Sequence, residues 1–213
     1  MTSRPVLFVV LTLTWSWTPW LIMLPAFREA GLKAPPWVFA LLLVGAYGPT
    51  LMAILLSRRE PGGVRALLRK FAIWRVGLRL YAVAFFLPAF VTLVGALLFA
   101  ARGGEIGGVY LGRAHVIPLA LLIGAFFGPL AEELGWRGYL LPRLLERYHP
   151  LAASLIVGAV WSVWHTPLFF APAGTSISGE SVTLSAVAFY LAFLSGYSIV
   201  YTWLHLNSGG SVL

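Results

Sequence analysis

The chain has no cysteine and no aspartate. Without cysteine there is no disulfide, no thiolate zinc site and no cysteine nucleophile. Without aspartate, neither an intramembrane aspartyl dyad nor a Ser-His-Asp triad can be assembled. No H-E-x-x-H run occurs, so the usual zinc-protease helix is missing too. Charge of either sign is scarce: Asp, Glu, Lys and Arg make up 10% of the 213 residues, against about 25% in an ordinary soluble domain. No internal repeat and no soluble domain stand out.

What is present is apolar. Hydrophobic residues make up 60% of the chain and the mean hydropathy is +0.87. These values predict an all-α, polytopic transmembrane helix bundle in which residues 1–213 form one integral-membrane domain. Six spans are expected: Met1–Leu24, Trp37–Leu56, Leu80–Ala100, His115–Leu141, Leu151–Phe170 and Val182–Leu204. Val212 and Leu213 read as the start of a seventh. Trp15, Trp17 and Trp20 crowd the first span and argue for an uncleaved helix rather than a signal peptide. Pro49 lies inside the second span and Pro129 inside the fourth, where it should kink the helix and free the Ala125 carbonyl. Gly124 and Gly128 form a G-x-x-x-G, which permits close helix approach.

The net charge is +8. In an apolar chain this indicates cytoplasmic loops against anionic lipid headgroups rather than nucleic acid. Seven basic residues fall in Ser57–Arg79 beside a single acid, Glu60. Val64, Leu67, Leu68 and Phe71 recur there at helical spacing, as in an amphipathic helix on the membrane surface. With the N-terminus inside, eleven of the fifteen basic residues fall on the inner side. The positive-inside rule therefore predicts a cytoplasmic N-terminus and a multi-pass protein of the plasma (inner) membrane.

Against this background one stretch stands apart. Glu132 to Arg137 reads EELGWR and closes the apolar run Val116–Leu130. On a helix, Glu133 and Arg137 lie one turn apart and can pair. Glu132 points about 100° away, sharing a face with Trp136 and Tyr139, and its carboxylate stays available for chemistry. Alone, such a cluster could simply mark the membrane surface. A second ionisable group, His165, sits within the next apolar run, in Trp161-Ser-Val-Trp-His165. Helices joined by a short link normally pack together. By rise per residue, His165 lies about 21 Å along a helix starting at Leu151, and Glu132 about 13 Å before Leu141. The two can meet only if the fourth helix continues through Gly135 and Gly138. His115 and His149 fall at span ends and read as interfacial.

These motifs resemble the CAAX-protease and bacteriocin-processing (CPBP, or Abi) family of intramembrane proteases. Its first motif, Glu-Glu-x-x-x-Arg, is matched by Glu132, Glu133 and Arg137, within EELGWRGYLLPRL. Its second, an aromatic residue followed four positions on by His, is matched by Trp161 and His165, within WSVWHTPLF. Its third, His-x-x-x-Asn, is not matched, since His205 is followed four positions on by Gly209. The resemblance covers about residues 114–213 and implies that the chain stops short of the third motif.

The resemblance implies peptide-bond hydrolysis in a membrane-associated substrate, prenylated or bacteriocin-like. The site residues it implies are Glu132, Glu133, Arg137 and His165. Glu132 would be a general base on water. The family is called both metalloprotease and glutamate-type, so zinc held by Glu132 and His165 stays open, although a catalytic zinc needs three protein ligands. One rival is a non-catalytic immunity or scaffolding protein on the same fold. The other is a serine intramembrane protease, but Ser195-Gly196 and Ser208-Gly209 both lack the glycine of G-x-S-G.

The orientation is open to a direct check, since there is no native cysteine. An Arg65→Cys variant should react with an impermeant maleimide only after the cells are opened. Labelling from outside intact cells would reverse the topology.

Overall fold

The computed structural model describes residues 3–104, 129–172 and 182–212. Among them every regular element is helical. The first helix, α1 (Ser3–Ala30), is about 42 Å long at 1.5 Å per residue, more than a hydrocarbon core needs. Next come α2 (Pro36–Ala46) and α3 (Gly48–Ser57), then the short α4 (Gly63–Leu68) with a 3-10 turn at Arg69–Ala72. After α5 (Leu78–Ala101), the Glu-bearing segment comprises α6 (Pro129–Gly135), a π turn (Trp136–Leu140) and α7 (Leu141–Leu145). It is followed by α8 (Pro150–Trp164), the single-turn α9 (Thr166–Phe169) and α10 (Leu184–Asn207).

Three of these helices, α1, α5 and α10, are long and apolar enough to cross a membrane; α2 and α3 make a fourth if counted as one bent span. Two expected spans prove to be broken, and proline explains both. Trp37–Leu56 divides at Tyr47 with a 46° bend between α2 and α3. Pro49 has no N–H for the Gly45 carbonyl, and its ring crowds that carbonyl. Leu151–Phe170 divides at His165, just before Pro167. There Pro167 leaves the Val163 carbonyl without its helical donor, and the Thr166 hydroxyl takes it at 2.7 Å. The start of the fourth span at His115, the pair Gly124 and Gly128, and the Ala125 carbonyl lie outside the described residues.

The core gathers where α1, α3, α6, the π turn and α8 meet. An aromatic chain runs through it. Phe8 stacks on Tyr139 with centroids 5.0 Å apart and meets Trp136 edge-on at 5.8 Å. Trp164 lies between Trp136, at 5.8 Å, and Trp20, at 4.7 Å. The crowded tryptophans of α1 have partners for their polar ends: Trp15 donates to the Val44 carbonyl, Trp20 to Leu42 and Trp17 to Trp164. In an apolar interior an unpaired indole N–H would be costly, so these bonds tie α1 to its neighbours. By contrast α5 stands almost free, with Phe85, Phe86 and Phe90 all exposed, as on a lipid-facing helix.

Two glycines, among the described residues, let one helix backbone approach another closely. A Cβ on Gly135 would sit 2.5 Å from Pro49, where α6 crosses α3. A Cβ on Gly158 would sit 2.7 Å from the Ser195 Cα, where α8 packs on α10. Ser195 is thus a packing residue of that contact. Gly135→Ala should cost about 1–3 kcal/mol by overpacking, read as a lower melting temperature in detergent. Gly196→Ala, with nothing within 4 Å, should melt like the parent protein. Equal melting of the two variants would show that α3 and α6 can part without cost.

Candidate active site

The site begins with a proline. Pro142 has no N–H to close a helical bond to the Gly138 carbonyl, and its ring crowds that carbonyl. The backbone widens instead, and Leu141 N–H bonds back five residues to the Trp136 carbonyl. Such π turns concentrate at functional sites. The loosened carbonyls find cationic donors. Lys70 Nζ donates to Gly138 at 2.7 Å, and Arg143 donates to Tyr139 at 2.6 Å. Leu67, one turn before Lys70 (i−3), is buried, and a Cβ on Gly138 would stand 3.3 Å from it. Burial, and secondarily the nearby Arg143, hold Lys70 below the usual lysine pKa.

Glu60 secures the same end. Its carboxylate pairs with Arg143 and, at 3.0 Å, with Arg4, and it accepts from Tyr139 at 3.4 Å. The Ser57–Arg79 segment, the chain's first turn and the 142–150 link therefore share one end of the bundle. His149 caps α8 there, its Nδ1 accepting from Leu151 N–H.

The helix does continue through Gly135 and Gly138, and the carboxylates divide as their faces require. Arg137 donates to Glu133 Oε1 at 2.7 Å. Its guanidinium packs against the Trp161 and Tyr201 rings, 4.7 and 4.8 Å from their centroids. Glu132 is buried, and its Oε2 accepts two indole N–H groups, from Trp161 at 2.6 Å and Trp136 at 3.3 Å. The aromatic residue of the second motif thus reaches the first glutamate of the first. His165 follows one turn after Trp161 at the α8–α9 break. Its Nδ1 lies 2.9 Å from the Trp161 carbonyl. A carbonyl can only accept, so Nδ1 carries the proton and, in the neutral ring, Nε2 has a free lone pair.

Among the described residues no three His, Cys, Asp or Glu side chains lie together as a metal-binding group. Glu132 and His165 do not by themselves complete a zinc ligand set. Sequence reasoning missed Glu60, Lys70 and the π turn. A signal was available: Pro142 lies four residues after Gly138, which marks that carbonyl as one needing another donor.

Comparison with known proteins identifies the family. The family model described as type II CAAX prenyl endopeptidase Rce1-like matches residues 114–213. CAAX prenyl protease 2 of Methanococcus maripaludis is 30% identical over 186 residues, covering 81% of this chain. The match spans 66% of that protein's own length. The chain belongs to the CAAX-protease (CPBP) family.

The two glutamates should respond differently to amidation. Glu133→Gln strips the anion from a guanidinium that is almost fully buried, which should cost about 3–5 kcal/mol. Glu132→Gln keeps an oxygen for both indoles and should melt near the parent protein. Matching losses in thermal unfolding would contradict the assignment of Arg137 to Glu133.

Proposed function

We propose that this chain is an intramembrane endopeptidase and that Glu132 is its general base. The observation that carries the reading is the convergence on one buried carboxylate oxygen, Glu132 Oε2, of indoles from two helices. It holds the carboxylate at a defined place in a water-poor site, beside the helix break that bears His165. The family membership and the relative's name, CAAX prenyl protease 2, support the reaction class.

In this reading Glu132 Oε1, which accepts no hydrogen bond from the described residues, takes a proton from a water molecule. The resulting hydroxide attacks the substrate carbonyl carbon. His165 Nε2 accepts from the same water and orients it. As the tetrahedral intermediate collapses, the C–N bond breaks and Glu132 returns the proton to the leaving amine. Glu133 and Arg137 position the turn. No step requires a metal ion, and zinc on Glu132 and His165 would need a further ligand. The substrate is a membrane-anchored peptide, prenylated or bacteriocin-like. The basic Ser57–Arg79 segment lies against anionic headgroups of the plasma membrane's cytoplasmic face, which also places the N-terminus inside.

The test is cleavage of a membrane-anchored reporter peptide by the purified protein in lipid nanodiscs. Glu132→Gln should abolish turnover while leaving melting unchanged, and His165→Ala should lower kcat by about 100-fold or more. Turnover that survives in Glu132→Gln would remove the general base. A complete lack of turnover, together with tight binding of an intact membrane protein, would favour a scaffolding role.

A further inference from the structure

The Glu133–Arg137 pair also borders a cavity of about 230 Å³ on the side of α10. Tyr201, His205, Ser211 and Leu80 help to line it. Arg137 is 1% exposed and uses only Nη1 on Glu133. Its Nε and Nη2 are buried and have no hydrogen-bond partner among the described residues. These two N–H groups share one edge of the planar guanidinium and point the same way, the arrangement that takes both oxygens of a carboxylate at once. The Trp161 and Tyr201 rings both pack against the guanidinium, their centroids 6.0 Å apart, and neither takes the Nε or Nη2 hydrogens. Donors this deeply buried are costly to leave unpaired, so the site is short of one two-oxygen acceptor.

We propose that the Nε/Nη2 edge of Arg137 binds the C-terminal carboxylate of the peptide substrate. The assignment rests on the proteolytic reading and deepens it. The Trp161 ring that stacks on Arg137 also donates to Glu132, so a carboxylate docked on this edge lies one aromatic ring away from the general base. A lipid phosphate has matching oxygens. To reach Arg137, however, it would have to leave the headgroup layer and enter a cavity lined in part by Leu80, Ala84, Leu204 and Val212. The cavity shares Ala84, Tyr201 and Leu204 with an apolar crevice of about 340 Å³ between α5 and α10, which would seat the apolar part of an anchored peptide.

The test is binding, separate from turnover, in the Glu132→Gln protein in nanodiscs of neutral lipid. The probes are N-palmitoyl-Ala-Leu-Ala-Leu as the free acid and as the C-terminal amide, titrated by tryptophan fluorescence. The acid should bind about tenfold tighter or more, the value of a charge-assisted fork. Arg137→Lys keeps a cation for Glu133 but lacks the fork, so it should lose most of that ratio. If Arg137→Lys does not fold, the acid-to-amide ratio in the intact fork still decides. Equal affinities would overturn the proposal. So would loss of the acid's advantage on adding phosphatidylglycerol at constant total lipid, which would assign the edge to lipid phosphate. A missing turnover with a preserved acid preference would instead count against the proteolytic reading alone.

Discussion

The site depends on one hydrogen-bonded oxygen. Glu132 Oε2 receives Trp136 from its own helix and Trp161 from α8, and the second of these bonds joins the two motifs, as Arg137 against the Trp161 ring also does. Burying a carboxylate is expensive unless its oxygens are paired. Here the pairing groups are indoles, which add donors without adding charge. An arginine in their place would put a full positive charge beside the oxygens. The arginine that is present is bonded instead to the neighbouring glutamate.

Holding that oxygen in place requires backbone that departs from regular helix, and proline is the cause each time. Pro49 bends α2 against α3, and Gly135 packs against that bend. Pro142 opens the π turn that carries Trp136 and Arg137. Pro167 ends α8 and leaves His165 at a break. In a low-dielectric interior every freed carbonyl needs a substitute donor. Lys70, Arg143, Thr166 and Trp17 provide them. Through Lys70 and Glu60 the basic segment before α5 braces the end of the Glu helix.

Several of these features were legible in the sequence because they are local. The i,i+4 spacing was enough to pair Glu133 with Arg137 and to put Trp136 on the face of Glu132. Motif order and a short link were enough to bring Trp161 near Glu132. Apolar composition predicted the helical membrane class, whereas the number of spans did not follow from it. Hydropathy is blind to breaks at Tyr47 and His165, because the flanking residues stay apolar on both sides. The Lys70 bond to Gly138 and the Glu60 hub were out of reach for another reason. Each joins positions tens of residues apart, and their polar atoms are satisfied only once the fold exists. Tyr139 illustrates the limit: helical spacing put it on the face of Glu132, but its hydroxyl bonds Glu60 and its ring stacks on Phe8.

The central claim is that the Trp161 indole N–H sets the Glu132 carboxylate for catalysis. Trp161→Phe tests it most directly, because phenylalanine keeps an aromatic face for Arg137 and removes only the donor end. The measurement is kcat and KM on a membrane-anchored peptide, alongside thermal unfolding. The account predicts a fall in kcat of about 10- to 100-fold, the worth of one hydrogen bond to a charged acceptor, with KM and melting little changed. An unchanged kcat in a folded Trp161→Phe protein would contradict it.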